Sequence, residues 1–199
     1  QAILAVEPEH YLYYELPDSS PWDESTVSWG LQAIGVPSSS YSGRGVGVAV
    51  LDTGIYLTHP DLTERVEMAQ SFVAGQSVED INGHGTHCAG LACGPKTPHH
   101  PTRYGVAYDA SLLVAKVLGD NGRGEEGTAL MGIRWAVANG CRVVSMSMSR
   151  KMHRDTPHSD VFEATAQRLL RRGIMMVAAA GNQSSRADNV IAPVGSPAN

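Results

Sequence analysis

"GVGVAVLDTG", Gly45 to Gly54, is the stretch that decides the fold. It is a short apolar run bounded by glycine and closed by an acid. That is the pattern of a strand buried on both faces, and it stops at Asp52. Three further runs read the same way: "SLLVAKVL" (Ser111–Leu118), "CRVVSMSM" (Cys141–Met148) and "IMMVAAAGN" (Ile174–Asn182). Helix-compatible segments lie between them. "HGTHCAGLAC" (His84–Cys93) is small and apolar. "TALMGIRWAVANG" places Leu130, Ile133, Trp135, Ala136 and Val137 at helical spacing and stops at Gly140. "DVFEATAQRLLRRG" is amphipathic and ends on Arg171 and Arg172 before Gly173, as the helix dipole favours. Strands alternating with helices predict an α/β fold: a doubly wound, mostly parallel sheet with helices on both faces.

In such sheets ligands bind beyond the carboxyl ends of the strands. Asp52, the Ser145–Ser147 segment and Gly181-Asn182 all fall at such ends. Their convergence is the first functional signal, and no single motif supplies it.

The totals narrow the partners. The 199 residues suit one compact domain, or one domain with a tail. A net charge of −5 without any Lys/Arg block argues against a nucleic-acid surface. No apolar run is long enough to span a bilayer, so no membrane partner is expected. The chain begins at Gln1 rather than Met, which reads as a processed product, so the missing secretion signal says little about compartment. The odd count of cysteines (Cys88, Cys93, Cys141) leaves at least one thiol unpaired, and buried apolar thiols are expected. A short helix is expected around Ser28 to Ile34. The loops "GPKTPHHPTRYG" (94–105) and "MSRKMHRDTPHSD" (148–160) are expected outside any core.

"NGHGTHCAGLACG" (Asn82–Gly94) sets His84 and His87 among glycines and admits two chemistries. A helical zinc pair sits at i and i+4 with a carboxylate nearby. His84 and His87 are at i and i+3 with no acid between them, and Cys88 and Cys93 complete no common zinc spacing, so no metal is assigned. The other chemistry is a base. Asp52 at its strand end is placed to accept a hydrogen bond from one imidazole nitrogen of His84, which leaves the other nitrogen free. Gly83 and Gly85 would keep that approach open, and the Asn182 amide would donate to a developing oxyanion.

In order, "VAVLDTGIYLTHPDL" (Val48–Leu62), "NGHGTHCAG" and "MMVAAAGN" resemble the subtilisin-like serine proteases. "HGTHCAG", "TRYGVA", "VLGDNGRG" and "RRGIMMVAAAGN…SPAN" are most similar to the proteinase K branch, and the likeness runs from about Trp29 to Asn199. The resemblance implies that Asp52 orients the base, His84 is general base and then general acid, and Asn182 serves the oxyanion. It implies that Gly122, Arg123 and Gly124 on one side, and Ser147, Met148 and Ser149 on the other, hold substrate as an added strand. Ala179, Ala180 and Gly181 would form a wall of the specificity pocket, and His87 would be structural.

The family's nucleophilic serine lies in a Gly-Thr-Ser-Met-Ala segment, and this sequence contains none. Residues 28–199 are therefore expected to be the N-terminal part of a catalytic domain whose C-terminal part is missing, with apolar surface left exposed. Residues 1–27 read as a prodomain remnant and linker, because "AILAVEPEHYLYYEL" resembles the last strand of a prodomain, or equally as a surface extension. The resemblance implies a secreted serine endopeptidase with protein or peptide substrates and a prodomain as partner. An inactive peptide-binding relative is the alternative, and a zinc or redox protein a third. No cofactor is required for the chemistry. A structural calcium is in doubt: Asp61 matches a family ligand, but the loop 94–105 brings no acid or Asn to join it. Ser149 stands where the family usually has glycine, which would narrow the cleft. Glu125 and Glu126 on one edge favour basic side chains. Arg150, Lys151, His153 and Arg154 on the other favour acidic ones, and the two hints oppose each other.

Overall fold

The computed structural model describes residues 22–152 and 158–199. The amino-terminal arm as far as residue 21, with most of the proposed prodomain remnant, lies outside the described residues, as do His153 and Arg154.

Five strands form one sheet: β1 (Gly47–Asp52), β2 (Val66–Ser71), β3 (Ser111–Lys116), β4 (Val143–Met146) and β5 (Met175–Ala178). Their order is β2-β3-β1-β4-β5, and every pairing is parallel. Helices α1 (Trp29–Ala33), α2 (His84–Cys93), α3 (Glu126–Ala138) and α4 (Asp160–Leu170) fall where the periodicity places them.

β1 shows why the sheet is covered twice. Its side chains alternate between two separate cores. Ala49 and Leu51 join Leu113, Ala115, Ile133 of α3 and Phe162 of α4. Val48 and Val50 join Leu112, Val114 and Ala89 and Cys93 of α2. A strand buried on both faces must be apolar throughout, as the sequence of β1 is. Gly132 lets α3 lie close on the sheet, since a Cβ there would meet Val117 Cγ1 at 2.6 Å. α4 is capped by Ser159, whose Oγ accepts from Phe162 N–H at 3.5 Å, and it stops before Gly173 at φ +69°.

Two features depart from the sequence reading. β2 was not anticipated: Val66–Ser71 is an edge strand with polar residues on both faces and a register shift between Val66 and Met68. Met152, in a loop expected outside the core, is buried, because one thioether among charged neighbours turns inward. Ser149 lines the cleft and also packs toward Gly195, where an added Cβ would come within 2.9 Å of the Ser149 Cβ. The far edge is apolar and open: on β5, Met175 and Val177 are about half exposed, at 58% and 48%.

Candidate active site

Asp52, at the carboxyl end of β1, is fully buried. Its Oδ1 accepts from Thr53 N–H at 2.7 Å and lies 2.7 Å from His84 Nδ1. A carboxylate only accepts, so Nδ1 carries the proton and Nε2 holds the free lone pair. His84, about half exposed, is the first residue of α2 and lines a hollow of about 570 Å³. Asp52 and His84 thus make an oriented base open on one side.

The junction that holds this pair is built by a residue the sequence reading missed. Asp80 Oδ1 accepts from the Thr53 hydroxyl (2.8 Å) and from the N–H groups of Gly83 (2.9 Å) and Asn82 (3.2 Å). Its Oδ2 accepts from Thr86 N–H (2.8 Å) and the Thr86 hydroxyl (2.6 Å). Thr53 Oγ1 in turn accepts from Gly85 N–H at 2.8 Å. Asp80 therefore does the N-terminal capping that Gly83, at φ +92°, has no side chain to do. Burial pushes the Asp80 carboxyl up, but the bonds from Thr86, Gly83 and Thr53 outweigh it and hold the pKa below the ordinary value. An acid four residues before His84, ahead of a small-residue helix, was the available signal.

Gly85 has a different role from the one expected. It is buried, and a Cβ there would sit 2.4 Å from Gly54 O. It lets α2 touch the turn after β1 and does not clear space for substrate. Lys116, paired in register with Asp52, is also fully buried. Its ammonium donates to Thr53 O and to Asp120 Oδ1, the latter at 2.8 Å.

The hollow brings most of the predicted cleft residues together. Gly122, Arg123 and Gly124 line it with Ser147, Met148, Ser149 and His84. Ala179, Ala180, Gly181 and Asn182 do not line it; they follow β5, where Ala179 N–H donates to Met146 O at 3.1 Å. The Asn182 side chain is exposed and makes no hydrogen bond among the described residues. No described serine hydroxyl bonds to His84.

The candidate metal residues separate. His87 lines a different hollow, of about 430 Å³, with His59, Asp61 and Tyr104. Asp52, His84 and Cys88 do bring ligand atoms within 4.8 Å of one another. Burial pushes the Cys88 thiol up, away from the thiolate a metal would take, and Asp52 already holds the His84 Nδ1 proton. Cys93 and Cys141 are buried and free, each pushed up to about 11 by burial. Around Asp61 the groups do not fit calcium, which asks for oxygen ligands. One carboxylate oxygen accepts from His99 N–H at 2.5 Å and the other from Tyr104 O–H at 2.7 Å, so donors surround it.

A model described as the subtilase family matches residues 43–199. The chain belongs to the subtilase family. Subtilisin BL of Lederbergia lenta is 39% identical over 164 residues, covering 80% of this chain and 57% of that protein. The alkaline protease of Alkalihalobacillus alcalophilus is 38% identical over 164 residues, covering 80% of the chain and 40% of that protein. Subtilisin-like protease 6 of Trichophyton schoenleinii is 33% identical over 180 residues, covering 83% of the chain and 42% of that protein. The chain thus spans roughly half the length of the curated relatives it matches. The parallel sheet with helices on both faces is that of a subtilase, as expected.

Proposed function

We propose that the full-length polypeptide carrying this subtilase chain is a serine endopeptidase. Asp52 orients His84. Nε2 of His84 takes the proton from a serine hydroxyl as it attacks a peptide carbonyl, then returns it to the leaving amine. Asn182 donates to the oxyanion, and the serine comes from polypeptide outside this sequence. The observation that carries the reading is the 2.7 Å contact between a wholly buried carboxylate and a histidine open to a cleft. The chemistry asks for no cofactor. Substrate is a protein or peptide chain lying between Gly122–Gly124 and Ser147–Ser149, the enzyme acts outside the cell, and a prodomain is its partner in maturation. Among the described residues no helix is long and apolar enough to cross a membrane.

The test is to label the full-length polypeptide with a serine-directed fluorophosphonate and to assay hydrolysis of an unstructured protein. Labelling and hydrolysis that both vanish in His84→Ala support the endopeptidase. A folded protein that binds peptides and takes no label would be the inactive peptide-binding relative.

A further inference from the structure

Two opposite hints about specificity, acids on one edge of the cleft and bases on the other, meet in the fold. Glu126, in the first turn of α3, and Arg150, just beyond β4, reach across the hollow, with Arg150 Nε 3.3 Å from Glu126 Oε1. Both are about half exposed, so neither is held by burial. Arg150 is fixed by its backbone, which exchanges hydrogen bonds with Ser196 at 2.7 and 3.2 Å. Glu126 is fixed by its place at a helix N-terminus, which favours a carboxylate. The hollow they share has an apolar part: Ala129, Met146 and Phe162 are buried and Met148 is partly buried.

We infer that Glu126 and Arg150 form an ionic clasp that sets side-chain selectivity in the cleft. Closed, the clasp cancels both charges and leaves an apolar site that accepts an unbranched or γ-branched hydrocarbon side chain. Arg123 and Glu125 also line the hollow and offset each other in sign, so loss of one clasp partner leaves the other's charge uncompensated, and the preference moves to a peptide side chain of the opposite sign. The inference rests on the proposed peptide-binding cleft but not on the presence of a nucleophile. A half-exposed pair is screened by water, so the change in preference is modest, about three- to fivefold.

The full-length polypeptide is titrated with fluorescein-labelled hexapeptides that carry Leu, Lys or Glu at each position in turn, and anisotropy gives the affinities. The same peptides are offered for hydrolysis. At one position the unaltered protein prefers Leu. Glu126→Gln moves that position toward Glu, Arg150→Gln moves it toward Lys, and the reversal Glu126→Arg with Arg150→Glu restores Leu. Because the reversed pair keeps the clasp, its recovery separates a charge effect from misfolding. Unchanged profiles in both single variants, or no binding of any peptide, would overturn the inference. Binding profiles that shift without any hydrolysis would keep the clasp and remove the endopeptidase reading.

Discussion

The two ends of the proposed reaction site are built differently. At the β1–α2 junction, Asp52, Thr53 and Asp80 are buried, and a chain of hydrogen bonds runs Gly85 to Thr53 to Asp80 to Thr86. At this junction Asp52 Oδ2 is the buried side-chain oxygen left without a partner among the described residues. Beyond β5, the Asn182 amide is exposed and unbonded among the described residues, and the strand beside it shows Met175 and Val177 to solvent. The base is thus held before any substrate arrives, whereas the proposed oxyanion donor is not. A polar group fixed at no cost of reorganisation contributes most to a reaction, so the first end should tolerate change least.

The largest effect follows from that contrast. In the full-length polypeptide, His84→Ala and Asp52→Asn should each lower kcat by about 10⁴-fold or more, with peptide affinity little changed. Asn182→Ala should cost about 10²- to 10³-fold. Steady-state kinetics on one peptide decides it. Equal losses at both ends would break the comparison.

Next comes Gly85→Ala. Helix propensity alone would make alanine better by about 1 kcal/mol. A Cβ 2.4 Å from the Gly54 carbonyl oxygen cannot be accommodated without moving backbone, and overpacking of that kind costs about 3 kcal/mol. The expected net is about 2 kcal/mol of destabilisation by urea unfolding, together with loss of activity as His84 is displaced. A more stable, active variant would show that the junction yields more readily than its packing implies.

Asp80 tests whether hydrogen bonding rather than charge holds the junction. Asp80→Ala strands five donors and should cost about 3 kcal/mol, and Asp80→Asn about 1 to 2, since an amide oxygen still accepts. The pH dependence has a definite sign. Because the folded carboxyl titrates below its unfolded value, its stabilisation is complete above the ordinary value of about 4 and is lost as pH falls through the lower folded one. Unfolding curves between pH 7 and pH 2 should therefore fall more steeply for the unaltered protein than for Asp80→Asn. Parallel curves would assign the acid sensitivity to another group.

Most of the sheet was legible because β1, β3, β4 and β5 are largely apolar: the inner strands have to be, being covered on both faces, and β5 keeps an apolar run although Met175 and Val177 are about half exposed. β2 was not, because an edge strand such as Val66–Ser71 has polar residues on both faces and no pattern of period two. At the site, Asp52 and His84 could be paired from their strand end and their glycine-rich surroundings. Asp80 and Lys116 were not read. Asp80 stands in a polar context and Lys116 is a lone charge in an apolar run, and the burial of each depends on segments far apart in the chain: Asp80 meets Thr53, and Lys116 reaches the Thr53 carbonyl. Gly85 was noticed for the wrong reason, since the sequence shows that a side chain is absent but not which neighbour requires it.

Lys116 carries the smallest expected effect and separates an ion pair from a carbonyl contact. Its ammonium is wholly buried, while its partner Asp120 is 40% exposed. Lys116→Met keeps the volume of the stem, removes the cost of a buried charge and loses two hydrogen bonds, for a net of about 1 kcal/mol. Asp120→Asn leaves the charge buried with the Thr53 carbonyl as its main support, and should cost more, about 2 kcal/mol. The partner is thus expected to be worth more than the charge it serves. If chemical denaturation gives the opposite order, the Thr53 carbonyl contact holds the turn after Asp52, and Asp120 only screens a charge that the turn needs. Lys116→Met would then lose more activity than its lost stability explains, because that turn also fixes the N–H that bonds Asp52.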